Sequence, residues 1–258
     1  MSRTGCCETL WEVIEREGEY SNAQRLRFHM EGVFDQVGLE GKRVLDIGAG
    51  KGLHGFYAAA MGAAQVLCLE PEAAGSQAGR MIAAFHKLQS ALPFGHQVRL
   101  LPVTFQQFGP ETAAYDVILL HDSINHLDEN ACIRLQCDAA AQESYRVLFR
   151  KMAQLMTRNG TLIVADCSRY NFFPLLGFRN PLAPQVEWEK HQSPAVWTAL
   201  LAAVGFGHPR VCWTSPNRLG KVGRIALGNR FAGYFLLSHF RMTMELVHAG
   251  RENLAWGE

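Results

Sequence analysis

The sequence predicts an α/β fold in which a mostly parallel sheet is covered by helices on both faces, and three observations carry that reading. Apolar, β-branched runs recur at residues 44–47, 65–69, 98–101, 115–120 and 159–166, with helical stretches between most of them. Runs this apolar suit strands buried on both faces. The first opens directly into the glycine-rich turn Gly48-Ala49-Gly50-Lys51-Gly52, and a helical stretch follows at once. Strand, glycine turn and helix in this order make the first half of a βαβ unit, whose ligand lies beyond the carboxyl end of the strand.

Taken in order, residues 8–16 and 22–37 read as two helices broken at Gly18-Glu19-Tyr20-Ser21, with Ser21 or Asn22 able to cap the second and Gly38 ending it. They form an expected amino-terminal helical cap over residues 1–39. Strand 44–47 and helix 53–61 follow, with Gly62 as a stop. The second strand ends at Glu70. Residues 129–156 read as one or two helices before Asn159-Gly160 turns into the fifth strand. Alternation then lapses over 167–192, where Tyr170, Phe172, Phe173, Phe178 and Trp188 lie among Pro174, Pro181 and Pro184. Long irregular segments of this kind at a sheet edge are often functional, and this one is expected to cover a substrate. Ser193-Pro194 starts a further helix, and 206–213 and 231–244 supply two more strands.

The glycine turn admits two ligand classes. Gly50-x-Gly52-x-x-Gly55 matches the dinucleotide pattern. Against it, Asp46 stands two residues before the first glycine, where a carboxylate would face a pyrophosphate and repel it. It suits a cationic ligand without phosphate. Glu70, about 20 residues past the glycines, is placed to accept the two hydroxyl hydrogens of a ribose, which both classes carry.

The arrangement Asp46-x-Gly48-x-Gly50-x-Gly52, followed by Tyr115-Asp116-Val117-Ile118-Leu119-Leu120 and by Asn159-Gly160-Thr161-Leu162-Ile163, resembles the motifs of the class I S-adenosylmethionine-dependent methyltransferases. The resemblance covers roughly residues 22–245. It implies a Rossmann-like doubly wound sheet of order 3-2-1-4-5-7-6 with strand 7 antiparallel, as one domain over 1–258. It implies S-adenosylmethionine as cofactor, S-adenosylhomocysteine as product and no metal. Cofactor contacts would come from Asp46, Gly48, Ala49, Gly50, Glu70, Thr104, Phe105 (an adenine platform) and His121. The loop after the fourth strand faces cofactor and acceptor alike, so His126 is the candidate general base, a structural cap being its alternative. Asp122, Asn125, Tyr20, Phe172 and Phe173 are the candidate acceptor contacts.

Composition narrows the class further. With 48% hydrophobic residues and a formal net charge of +1, the chain can bury a sizeable core and does not look like a broad nucleic-acid binder. The seven cysteines are scattered without paired C-x-x-C spacing, which argues against a zinc ribbon or a disulfide framework. Neither a secretory leader nor a membrane-spanning run is evident, so the expectation is a cytoplasmic protein. From His191 to Met244 there is no acidic residue, while Arg210, Arg218, Lys221, Arg224, Arg230 and Arg241 are basic, which suits an anionic acceptor. No Asn/Asp-Pro-Pro-aromatic sequence follows the fourth strand, the pattern of the family's amino-nucleobase methylators. The reading is therefore a small-molecule methyltransferase, O-directed. Its alternatives are an RNA-modifying methyltransferase, a non-catalytic cofactor-binding partner subunit and an NAD(P)-dependent oxidoreductase. Oligomeric state is not legible.

Overall fold

A computed structural model describes residues 3–71, 78–109 and 114–247. Two helices, α1 (Arg3–Arg16) and α2 (Ala23–Val33), precede β1 (Arg43–Ile47), α3 (Leu53–Ala60), β2 (Gln65–Leu69), α4 (Ala78–Ala91), β3 (Val98–Leu101) and β4 (Tyr115–His121). Then come α5 (Glu129–Arg134), α6 (Ala139–Leu155), β5 (Met156–Cys167), α7 (Phe172–Leu175), α8 (Pro194–Ala202), β6 (Phe206–Trp213), α9 (Gly220–Leu227), α10 (Arg230–Phe235) and β7 (His239–Leu246). The seven strands form one sheet of order β3-β2-β1-β4-β5-β7-β6. β7 runs antiparallel to both β5 and β6, as expected for this fold, and the other pairs are parallel.

Side-chain alternation along the strands divides the core in two. Leu45, Ile47, Ile118, Leu120, Leu162 and Val164 face α6 and α8, where Tyr145, Phe149 and Trp197 are fully buried. Val44, Val117, Leu119 and Ile163 face the other layer, packed with α1, α2 and α3. Each large apolar side chain so buried stabilises the fold by about 1.5–3 kcal/mol. Caps fix the helix starts: Asn22 Oδ1 accepts from the Arg25 N–H at 2.8 Å, Asp128 Oδ1 from Ala131 at 2.9 Å and Asp138 Oδ1 from Ala140 at 2.8 Å.

The structure departs from the sequence reading at the carboxyl end. Residues 231–235 are helical rather than extended, because Asn229 Oδ1 accepts from the Ala232 N–H at 2.9 Å and starts α10. The connection between β6 and β7 thus carries α9 and α10. Ser193 stands before α8 without a side-chain cap bond, so Pro194 at the first turn is what favours the start. The basic stretch is also partly internal. Arg241 is buried, its Nε donating to the Val33 carbonyl at 2.7 Å and its Nη2 to that of Asp35. Arg224 donates to the Phe28 carbonyl at 3.2 Å and stacks on the Phe28 ring, and Arg210 donates to Gln36 Oε1 at 3.3 Å. These bonds fasten the α2 region to β6, α9 and β7, while the Arg210 and Arg224 side chains stay exposed. No helix among the described residues is long and apolar enough to cross a membrane.

Candidate active site

The glycine turn is tied to the neighbouring strand: the N–H groups of Gly48 and Ala49 donate to the Leu69 carbonyl at 2.8 and 3.0 Å. Gly48, Gly50 and Gly52 all take left-handed backbone, with φ of +74°, +56° and +74°. A Cβ on Gly48 would lie 2.5 Å from Ser123 Cβ, and Ser123 Oγ in turn donates to the Ile47 carbonyl at 2.6 Å. A Cβ on Gly50 would meet no described atom within 4 Å. This is the open side of the turn, where a ligand can approach the backbone. Glu70 stands there with Oε2 accepting from the Gly50 N–H at 2.8 Å, and burial raises its pKa above the usual carboxylate range.

Asp46 lies elsewhere than the sequence reading put it. It is 1% exposed, beneath the turn and bonded to the Gly55 backbone, with Oδ2 lacking a hydrogen-bond partner among the described residues. Burial first and then the Glu70 charge push its pKa up to about 7. It shapes the turn and the field beneath it. Phe105 is likewise not a platform: it is 2% exposed, in the core, with Lys151 Nζ 5.0 Å from its ring centroid. An aromatic residue just after a strand is pulled inward by the area it can bury, and nothing in the local sequence says otherwise. Thr104 remains on the loop, bonded through its N–H and hydroxyl to Gln107 Oε1.

The cap meets the turn through charge. Lys51 Nζ lies 3.0 Å from Glu19 Oε2 and donates to the Glu19 carbonyl at 3.2 Å, so the break between α1 and α2 is held at the turn. Tyr20, in that break, is 39% exposed.

The carboxyl ends of β4 and β5 and the amino end of the antiparallel β7 supply a second set of polar groups. His121, Asp122, Asp166 and His239 line a cavity of about 220 Å³ together with His29 of α2. Asp122, Asn125, His126, Cys167, His191 and His239 line an adjoining one of about 470 Å³, covered by residues from Leu182 to Lys190. His191 Nδ1 lies 2.9 Å from Asp166 Oδ1. Burial opposes the charged form of His191, but the Asp166 bond and the charges of Asp166 and Asp122 outweigh it, and the net pKa is raised. His126 is mostly exposed at the rim, its Nδ1 2.6 Å from Glu129 Oε1. His121 turns its ring toward His29, Nε2 to Nε2 at 2.8 Å, and stacks near His54 of α3, with ring centroids 4.2 Å apart.

Gly48, Ala49, Gly50 and Glu70 are thus brought together at one site, and Asp122, Asn125 and His126 at a neighbouring cavity. Phe172 and Phe173 line neither cavity; Phe172 packs on Phe235 of α10 at 4.9 Å between centroids. The 167–192 segment does cover a cavity, but with its second half. Buried amides hold it in place: Asn171 and Asn180 both donate to the Leu236 carbonyl, at 3.0 and 2.6 Å, and Gln192 to that of Cys132 at 2.6 Å. A further hollow of about 1140 Å³ between α8, β6 and α10 is mostly apolar and is lined by no residue of the turn. Sequence reasoning missed Asp166, His191, His239, His29 and His54. Asp166 carried a signal, being a carboxylate at the end of a buried strand.

No family model and no curated protein matches the chain. Solved structures do. An S-adenosylmethionine-dependent methyltransferase of Mesorhizobium loti is 14% identical over 84% of this chain and 95% of its own, with a TM-score of 0.57. One assigned in Listeria monocytogenes is 15% identical over 87% and 98%, also at 0.57. The [4+2]-cyclase SpnF is 15% identical over 86% and 80%, at 0.56. The chain therefore has the class I methyltransferase fold, a fold that also houses a cyclase.

Proposed function

We propose that the protein is an S-adenosylmethionine-dependent methyltransferase acting on a hydroxyl of a small acceptor. The observation that carries this reading is the pairing of Glu70 with Gly50 on the open side of the turn. The left-handed glycine leaves room for a ligand against the backbone, and the carboxylate beside it suits a vicinal diol. S-adenosylmethionine, when bound, supplies an electrophilic methyl group on a sulfonium. Glu70 would hold the ribose hydroxyls, the Gly48–Gly50 backbone would flank the amino-acid end, and Tyr20 in the pinned cap would help close the site.

The acceptor pocket in this reading is the cavity of about 470 Å³ beneath residues 182–191, with the smaller cavity adjoining it at Asp122 and His239. His191 replaces His126 as the proposed base, because it is largely enclosed and Asp166 holds its Nδ1. In that tautomer the other ring nitrogen is free to take the hydroxyl proton, and Asp166 stabilises the imidazolium that results. Asp122 and Asn125 would orient the acceptor. A methyl transfer is an in-line displacement, so alignment within this pocket is the larger part of the protein's task. An RNA acceptor is less favoured, given the near-zero formal net charge of +1.

Calorimetric titration of the full chain with S-adenosylmethionine, S-adenosylhomocysteine and NAD, repeated with Glu70→Ala, tests the reading. Binding of both sulfur compounds but not NAD, lost in the variant, is expected. Absence of binding by a folded protein overturns it, and NAD binding would return the turn to the dinucleotide class. Binding without turnover across a panel of hydroxyl acceptors would favour a non-catalytic role.

A further inference from the structure

His29, His54 and His121 come from α2, the first turn of α3 and the end of β4, and one ring nitrogen of each lies within 4.8 Å of the others. We propose that these three imidazoles bind a divalent transition-metal ion of the zinc type, with its remaining coordination position open to the acceptor cavity.

The polar accounting points to a cation. His29 and His121 need only one N–H between them to make their 2.8 Å contact, and His54 Nε2 is buried with no hydrogen-bond partner among the described residues. A buried ring nitrogen left unpaired is costly, and a coordinated ion would remove that cost.

The surroundings fit as well. Asp122 Oδ2 lies 3.3 Å from His121 Nδ1, the carboxylate–imidazole arrangement that fixes a ligating ring and directs Nε2 to the ion. Asp122 holds this place on left-handed backbone, φ +50°. Tetrahedral zinc with bonds of about 2.0–2.1 Å sets its nitrogens about 3.3 Å apart, so His29 and His121 need spread by only about half an ångström. Three protein ligands with one position open is the pattern of a reactive rather than a purely structural zinc site. His29 and His121 both line the 220 Å³ cavity shared with Asp166 and His239, so that position looks toward the polar pocket. A second group, Asp166 with Cys167 and His191, is a weaker candidate: His191 Nδ1 is already paired with Asp166 Oδ1, leaving only Oδ2 of that carboxylate without a partner among the described residues, and burial pushes the Cys167 thiol up, away from the thiolate a metal needs.

The proposal does not depend on methyl transfer, and its test reads metal alone. The full chain, free of any affinity tag and dialysed against chelator, is titrated with Co²⁺ and Zn²⁺. One equivalent should bind, with a tetrahedral cobalt ligand-field band and without thiolate charge transfer, which excludes the cysteines. X-ray absorption of the zinc-loaded parent should count three imidazoles. Asp122→Asn should weaken binding about 10–100-fold, and His54→Gln and His121→Asn by at least as much, while His86→Gln on α4 leaves it unchanged. Sulfur in the metal shell, substoichiometric binding, or folded His54→Gln and His121→Asn proteins that bind like the parent would each overturn the assignment. The absorption measurement needs no variant, so a variant that fails to fold does not shelter the proposal.

Discussion

The Glu70 carboxylate accepts a 2.8 Å hydrogen bond from the Gly50 N–H, which fixes an acceptor group at the one glycine of the turn with open space around it. Burial raises its pKa, so the fold gains little from the charge itself. Glu70→Gln, which keeps an acceptor for the Gly50 N–H, should therefore leave the melting temperature nearly unchanged, whereas Glu70→Ala loses that bond and about 0.5–1.5 kcal/mol with it. Each lost hydrogen bond to a charged acceptor is worth about 1.5–3 kcal/mol, which predicts cofactor affinity lower by tenfold to over a hundredfold in calorimetry.

Asp46 should make the protein less stable as pH rises. Its folded pKa, about 7, lies above the ordinary carboxylate value, so between roughly pH 4 and 7 the native state holds a proton that the unfolded state has released. Stability from this group is full below the unfolded pKa and falls as pH climbs to the folded one. The isosteric Asp46→Asn cannot ionise. Urea unfolding should show the variant gaining on the parent by a few kcal/mol between pH 4 and pH 8. A constant difference across that range would assign Asp46 an ordinary pKa.

How much of this was legible beforehand follows from which interactions are local. The strand order rests on short apolar runs such as 44–47 and 115–120, each bounded by its own turn, and those runs stand in the sequence. Gly50 and Glu70 also carry a spacing signal, because one βαβ unit fixes the distance between them. The direction of Asp46 and Phe105 was not legible, since a carboxylate beside a glycine turn reads the same whether it faces a ligand or lies beneath the backbone. The histidine cluster was invisible for another reason. His29, His54 and His121 lie in three separate elements, and only the packing of α2 on the sheet brings them together. Likewise Arg241 reads as surface charge until the antiparallel edge carries it to the end of α2.

Arg241 should be a stability residue. Its guanidinium, buried against the Val33 and Asp35 carbonyls, satisfies backbone acceptors where α2 ends and complements the negative end of that helix. Arg241→Met keeps most of the side-chain volume but leaves those carbonyls unpaired. A loss of about 3 kcal/mol is expected in denaturant unfolding. Hydrogen exchange should rise first in α2, with the β5 amides still protected. Uniform loss across the sheet would instead mean that the residue supports β7 itself.

The His191–Asp166 pair makes a kinetic prediction with a definite sign. A base must be neutral to accept a proton, so turnover on a hydroxyl acceptor should rise with pH through the His191 pKa. Burial alone would lower that pKa, and the Asp166 bond and charge, with Asp122, are what raise it. Asp166→Asn removes the charge, so the rising limb should move to lower pH while the maximal rate falls, the imidazolium having lost its stabilising partner. His191→Ala should cost about 10²–10⁴-fold in rate with cofactor affinity preserved, and His126→Ala should leave the limb in place. If His126→Ala abolishes the limb and His191→Ala does not, the base is the exposed histidine at the rim and the buried pair is structural.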